Sequence, residues 1–254
     1  MSSYLGRHAQ LYDIFYSGKN YQQEAGFVHQ LITEFGRESS KKLLELACGT
    51  GNHAFLLEKY GYDLLALDYS PDMIERAKEK AKKYNSTISF QVGDMRNLNF
   101  QHEFDVAICL FDSIGYVLTN EAINSVFNKV YQSLKVGGLF IFEFWHAPAM
   151  LQSFDPVRVK KWKVADREIL RISETSIDIP SSTSTVNYSI YELFSNGTFM
   201  YLSETQRNRF FQLQEMLSFV AHNGFKTKTW FGGYDKSLTT IDAQTWHIVM
   251  IVQK

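Results

Sequence analysis

From Lys42 onward, short apolar runs alternate with helical stripes, a pattern that predicts strand, helix and strand in turn through the first half of the chain. Leu43 to Ala47 reads as a strand, Asn52 to Tyr60 as a helix, Asp63 to Leu67 as a strand, and Pro71 to Lys83 as a helix with proline in its first turn. Ile88 to Val92, Phe104 to Leu110 and Leu139 to Trp145 extend the strand series, with a helix over Glu121 to Leu134 and the Gly137-Gly138 turn before the last strand. Continuous apolar strands separated by helices are what a parallel sheet covered on both faces requires. Ahead of them, Tyr4 to Ser17 and Tyr21 to Phe35 carry helical stripes, Leu11, Ile14 and Phe15 in the first and Phe27, Val28, Leu31 and Ile32 in the second.

Between about Pro156 and Phe210 the helical period gives way to alternating runs, Lys161 to Val164, Glu168 to Ile172, Thr185 to Leu193 and Thr198 to Glu204, with Asn196-Gly197 as a hairpin turn. An antiparallel sheet inserted into the α/β frame follows. A helix over Phe211 to Asn223 and strands at Phe225 to Phe231 and Trp246 to Val252 return to that frame. No Pro/Gly/Ser-rich linker divides the 254 residues, so one domain is expected: residues 1–41 a helical cap, 42–150 and 211–254 the core, and 151–210 the insertion.

Composition adds three constraints. The aromatic share of 15% is high and asks for a pocket as well as a core. A formal charge of -1 offers no basic footprint for nucleic acid. Met1 to Gln10 lacks the apolar core of a signal peptide and no run reaches the span of a bilayer, so the expectation is a cytoplasmic protein without a membrane partner. Cys48 and Cys109 fall at buried strand ends without metal or redox spacing, and the histidines show no paired spacing, so no metal site is expected.

The chemistry concentrates in LELACGTGNH, Leu44 to His53, where a buried strand enters a glycine turn that opens a helix. Gly49 and Gly51 let the backbone bend and approach a ligand, and Asp68 at the end of the next strand can accept from both hydroxyls of a ribose. Gly49, Gly51 and Ala54 also satisfy a loose dinucleotide fingerprint, and a tight turn with no ligand is the plain structural alternative. A nucleotide-triphosphate loop is disfavoured because no Lys-Ser/Thr follows. Glu45 separates the readings, since an acid inside an apolar strand is costly unless it faces a polar ligand. Gly93-Asp94-Met95 then places a carboxylate and a thioether where an adenine could meet them.

Together, Glu45 to Gly51, Asp68 within LALDYSPDMIERA, Asp94 within GDMRNL, and LKVGGLF resemble the class I S-adenosylmethionine-dependent methyltransferases. The resemblance implies a doubly wound, mostly parallel seven-stranded α/β sheet with a reversed last strand. It also implies S-adenosylmethionine as cofactor, held by Tyr21, Glu45, Ala47, Gly49, Thr50, Gly51, Asp68, Tyr69, Met73, Asp94, Met95 and Leu110.

Tyr12 to Ala25 (YDIFYSGKNYQQEA), with GDMRNL, CLFDSIGY and FEFW, further resembles the N,N-dimethyltransferases of nucleotide-linked 3-amino-deoxysugars. That likeness implies N-terminal helices closing over the cofactor and an insertion that serves the acceptor and subunit contacts, with a homodimer as one outcome. Carried over residue by residue, it puts Tyr16 and Tyr21 beside the methyl donor, Asp112, Ser113 and Tyr116 along the acceptor pocket, and Trp145 with His146 at the mouth of the fifth strand. Asp112 would hold an ammonium and His146 could take its proton, although His146 is read first as a structural loop histidine. Tyr16 and Tyr21 are balanced between pocket lining and helix stapling. Gly232-Gly233 is followed by no arginine, so a diphosphate contact there would rest on Lys236. The acceptor is expected to be a small molecule, an amine such as a nucleotide-linked amino sugar. An O- or C-acceptor, or a binding module without turnover, stays open.

Overall fold

The computed structural model describes residue 4 and residues 6–254. The expected first helix, Tyr4 to Ser17, is found as α1 (Gly6–Phe15), and Met1 to Ser3 and Leu5 lie outside the described residues. α2 (Tyr21–Phe35) follows, begun by Asn20, whose side chain accepts from the Gln23 N–H at 3.1 Å.

The core alternates β1 (Lys42–Leu46), α3 (Asn52–Glu58), β2 (Asp63–Asp68), α4 (Pro71–Tyr84), β3 (Ser89–Val92), β4 (Phe104–Cys109), α5 (Asn120–Ser133) and β5 (Leu134–Trp145). Ser70 caps α4 through the Met73 N–H, and Asn85 ends it at a φ of 53°. β5 begins earlier than expected, because Gly137, at a φ of 77°, lies inside the strand and its N–H donates to Lys254 O. A short helix that sequence periodicity did not reveal, α6 (Ala147–Ser153), leads to the insertion.

The insertion is a separate four-stranded antiparallel sheet: β6 (Val157–Val164), β7 (Arg167–Asp178), β8 (Thr183–Phe194) and β9 (Phe199–Arg209), paired in that order. Its strands are longer than the alternating runs suggested, and Gly197 turns β8 into β9 at a φ of 85°. α7 (Leu213–His222), β10 (Lys226–Phe231) and β11 (His247–Gln253) complete a seven-stranded sheet of order β10-β11-β5-β4-β1-β2-β3, in which β11 alone runs against the others.

Alternation along each strand divides the core. Leu43, Val106 and Ile141 face α2 and α3, whereas Leu44, Ala107 and Phe142 face α5 and α7. Cys48 and Cys109 are buried free thiols. The insertion holds α1 from the other side: Leu11 and Phe15 pack on Ile169 and Ile190, and the buried Glu192 pairs with Arg7 of α1 and Arg167 of β7. Arg171, 6% exposed, lies among the rings of Phe15, Trp162 and Tyr188 at 4.8 to 5.2 Å. α1 is therefore clasped between the core and the inserted sheet.

The turn after β4 tolerates no side chain at Gly115, where a Cβ would stand 2.7 Å from Arg209 O and 2.9 Å from Asp112 Oδ2. Gly115→Ala is expected to cost about 2–3 kcal/mol in urea unfolding, by overpacking against backbone. Gly197→Ala, with no atom within 4 Å but a left-handed φ, should cost only about 1 kcal/mol.

Candidate active site

Parallel strands end their carboxyl edges together, and here those edges are rich in acids. After β1 the chain takes left-handed φ values at Ala47 (54°), Gly49 (56°) and Gly51 (82°). Ala47 is the unusual one, because its Cβ disfavours that region. At Gly51 a Cβ would meet the Phe90 ring at 2.7 Å, so glycine is needed there for packing as well as conformation. Asp68 at the end of β2 braces the turn, accepting from the N–H groups of Gly49 and Ser70, both at 2.8 Å. Burial nonetheless outweighs these two donors and raises the Asp68 carboxyl above its ordinary value.

Beside the turn lies a cavity of about 30 Å³ lined by Tyr21, Glu45, Ala47, Leu110 and Ser113, with Tyr12 and Phe111 across it. Glu45 is 2% exposed and its Oε2 has no hydrogen-bond partner. Burial, with the nearby Asp68 charge, pushes its pKa up to about 8. A buried carboxyl oxygen without a donor is able to accept from a polar ligand group such as an amine. Thr50 and Asn52 donate to Asp13 of α1, at 2.6 and 3.1 Å, and Lys80 joins them at 3.2 Å, so α1 is tied down over the glycine turn.

A second cavity, of about 530 Å³, opens at the ends of β4, β5 and β11. Its lining includes Lys19, Glu24, Phe111, Glu143, Tyr234, Asp242, Trp246 and His247. Glu143 is 1% exposed, accepts from the Phe111 N–H at 2.7 Å and from the Tyr234 hydroxyl, and pairs with His247 Nδ1 at 2.6 Å. Burial alone would raise its pKa, but His247, Tyr234 and Lys19 outweigh burial and hold it down to about 2. Phe111, at a φ of 56°, lines both cavities and marks the boundary between them.

Tyr21, Glu45, Ala47 and Leu110, expected at the cofactor, line one cavity, with Gly49, Thr50, Gly51 and Asp68 in the adjoining turn, and Ser113, expected along the acceptor pocket, lines that same small cavity instead. Tyr69 is 54% exposed, with the Arg96 guanidinium 6.0 Å from its ring centre, and Met95 packs on the core beside α5. Tyr16 stands edge-on to Phe111 at 5.0 Å. Other residues are placed differently from expectation. Met73, 1% exposed, is packed beneath α1 with Ala9 and Tyr12. Asp94 is engaged by Arg96 through both carboxylate oxygens, and that pairing overcomes burial to hold its pKa down.

On the acceptor side the differences are larger. Asp112 is a buried brace, 1% exposed, accepting from the Trp145 N–H at 2.7 Å and from Asn208, and it lines neither cavity. Burial raises its pKa well above the ordinary value. Trp145 packs with Met150 and Phe210, and Tyr116 bonds to Tyr4 and Gln206. His146 is not an exposed loop histidine: it is 5% exposed, bonded to Thr245 O at 3.2 Å, and burial lowers its pKa. Lys236 pairs with Glu34 of α2.

The residues that sequence reasoning missed are Asp13, Lys19, Glu24, Glu143, Tyr234 and His247. For Glu143 the signal was present, an acid inside the apolar run FIFEFW, as Glu45 is inside its own strand. Among the described residues no group of three or more His, Cys, Asp or Glu is arranged to hold a metal, and no helix is long and apolar enough to cross a membrane.

Residues 43–138 match the family described as "Methyltransferase domain". That span, which holds the glycine turn and strands β1 to β4 of the seven-stranded sheet, therefore resembles a methyltransferase domain. Among solved structures it resembles an S-adenosylmethionine-dependent methyltransferase from Clostridium acetobutylicum, with a TM-score of 0.84 at 20% identity, covering 97% of each chain. Among curated proteins it is 32% identical, over 56% of this chain and 58% of the relative, to a dTDP-3-amino-3,4,6-trideoxy-alpha-D-glucopyranose N,N-dimethyltransferase of Streptomyces venezuelae. It is 27% identical, over 87% of this chain and 74% of the relative, to a glycine/sarcosine N-methyltransferase of Parasynechococcus marenigrum. The chain spans little more than half the length of the first of these relatives.

The unpartnered Glu45 oxygen and the glycine turn fit the amino-acid end of S-adenosylmethionine. Because its folded pKa, about 8, stands above the unfolded value, Glu45 is protonated in the free protein at pH 7 and costs stability as pH rises from the ordinary carboxylate range through 8. Binding of adenosylhomocysteine at pH 7 should therefore release about one proton as its ammonium pairs with Glu45, seen as a calorimetric enthalpy that varies with the buffer's ionisation heat. Glu45→Gln should abolish that dependence and make the free protein more stable than wild type at pH 9.

Proposed function

We propose that this protein transfers a methyl group from S-adenosylmethionine to an amine nitrogen of a small acceptor. The observation that carries the reading is Phe111, which separates a small cavity holding an unpaired, protonatable Glu45 from a larger one holding an ionised Glu143. When bound, S-adenosylmethionine supplies an already activated methyl group: a nitrogen–carbon bond forms as the carbon–sulfur bond breaks, the sulfur keeping the electron pair. The protein's tasks are alignment and exclusion of water. Tyr12 meets Tyr16 at a tilt with ring centres 4.7 Å apart, and Tyr16 stands edge-on to Phe111 at 5.0 Å, backing the ring that both cavities share.

An amine reaches this line as an ammonium and must give up a proton. Glu143 and Glu24 offer it negative charge, and solvent in the open cavity can take the proton. The holding role expected of Asp112 passes to Glu143. Both relatives named above are described as N-methyltransferases, one of an amino sugar nucleotide and one of glycine and sarcosine, which supports nitrogen as the acceptor atom. A nucleotide-linked amino sugar is the first acceptor to try. For a second copy of this chain, the edge strands β6 and β9 offer exposed Val157, Val159, Phe199 and Tyr201.

A screen with methyl-labelled S-adenosylmethionine against amino sugar nucleotides, free amines, amino acids, phenols and protein extracts is expected to label an amine. Label found only in phenols or in protein would sink the reading, and binding of the donor without turnover of any acceptor would favour a binding module.

A further inference from the structure

The larger cavity already contains an organic cation, supplied by the chain itself. Lys19, in the turn between α1 and α2, places its ammonium 4.2 Å from the centre of the Phe111 ring, 5.4 Å from Tyr21 and 5.8 Å from Tyr234. Its side chain is 15% exposed, Glu24 pairs with it directly, and its charge helps hold Glu143 ionised. Glu24 is fixed in turn by His53 at 2.7 Å. Three π faces and two anchored carboxylates around one ammonium are the chemistry that recognises amines and methylated amines.

We propose that this cage is the ammonium subsite of the acceptor cavity, and that Lys19 is a resident occupant which an amine-bearing acceptor displaces. The proposal rests on the methyl-transfer reading and deepens it, since it names the part of the acceptor that the protein reads. The alternative, a lysine that grips a phosphate, fits the charges poorly. Lys19 is neutralised by Glu24, the lining also holds Glu143 and Asp242, and it includes no arginine. A phosphate on the acceptor would have to lie outside this cavity. The cage would hold the amine before it loses its proton and the methylated ammonium afterwards, so methylated amines should bind as products do.

An internal occupant lowers apparent affinity by the fraction of time it fills the site, so its removal should tighten cation binding. The test is calorimetric titration of tetramethylammonium into wild type, Lys19→Met and the double variant Lys19→Met/Glu24→Gln, with adenosylhomocysteine titrated separately into each. Methionine keeps the length and the contact with the rings while removing the charge. Lys19→Met is expected to bind tetramethylammonium about tenfold more tightly than wild type, and the added Glu24→Gln change to reverse most of that gain. No gain in Lys19→Met, with adenosylhomocysteine binding intact, would overturn the ammonium cage and leave the methyl-transfer reading standing. Failure of wild type to bind adenosylhomocysteine would count against that reading instead, whatever the cation result. With thymidine diphosphate titrated into wild type and Lys19→Met as well, loss of its binding in the variant without a gain for the cation would show an anion handle and also overturn the proposal.

Discussion

Three buried carboxylates at the carboxyl ends of β1, β4 and β5, and the half-buried Asp68 at the end of β2, set the site, and the rest of it follows from how each is compensated. Asp68 is held by two backbone N–H groups, Asp112 by the Trp145 N–H and Asn208, and Glu143 by one N–H, a phenol and an imidazole. Glu45 has an oxygen with no partner. A carboxylate that loses water without gaining donors is several kilocalories per mole worse off by rough reckoning, and the usual escape is to take up a proton. Glu45 does so and Glu143 does not. Two acids of the same sheet, with comparable burial, thus carry different charges at neutral pH because their donor sets differ.

α1 couples this arrangement to the insertion. It is fastened to the inserted sheet through Arg7 and Glu192, and to the glycine turn through Asp13, Thr50 and Lys80. The 30 Å³ cavity beneath it is about the size of a water molecule, so a nucleoside enters only when the contacts around Asp13 and Tyr12 give way. Lys19, in the segment between α1 and α2, lies a few residues of chain from Asp13 and meets Phe111 and Glu24.

Much of this was legible in the chain, for a definable reason. The core strands, the glycine turn and Glu45 declare themselves locally, by periodicity, by residues that tolerate left-handed backbone, and by an acid where only apolar side chains belong. Asn196-Gly197 did the same for the last hairpin of the insertion. The acceptor side is built from pairs distant in sequence. Tyr234 and His247 reach Glu143 only because β11 lies antiparallel to β5, and Lys19 meets Phe111 only because α1 folds back over the sheet. Asp112 shows the converse. Its position after β4 suggested an open acid, but its two oxygens accept from Trp145 and Asn208, and no local pattern foretells a partner from β9. Asp94 is a milder case, since the arginine that occupies it stands two residues away in GDMR.

The asymmetry between Glu45 and Glu143 also gives the two cavities a direction. On the proposed reading, methylation of an amine would leave positive charge on nitrogen in the larger cavity, where Glu143 is held ionised by His247, Tyr234 and Lys19. An anion fixed in place needs no rearrangement when the charge arrives, which is the sense in which a preorganised site stabilises charge better than water can. On the other side a permanently ionised Glu45 would be costly in the empty protein, and a titrating one is not, because it becomes charged only when a cationic group is there to meet it. A protonatable acid where the ligand comes and goes, and a permanent one where charge accumulates, is the division of labour that the donor sets of these two strand ends impose.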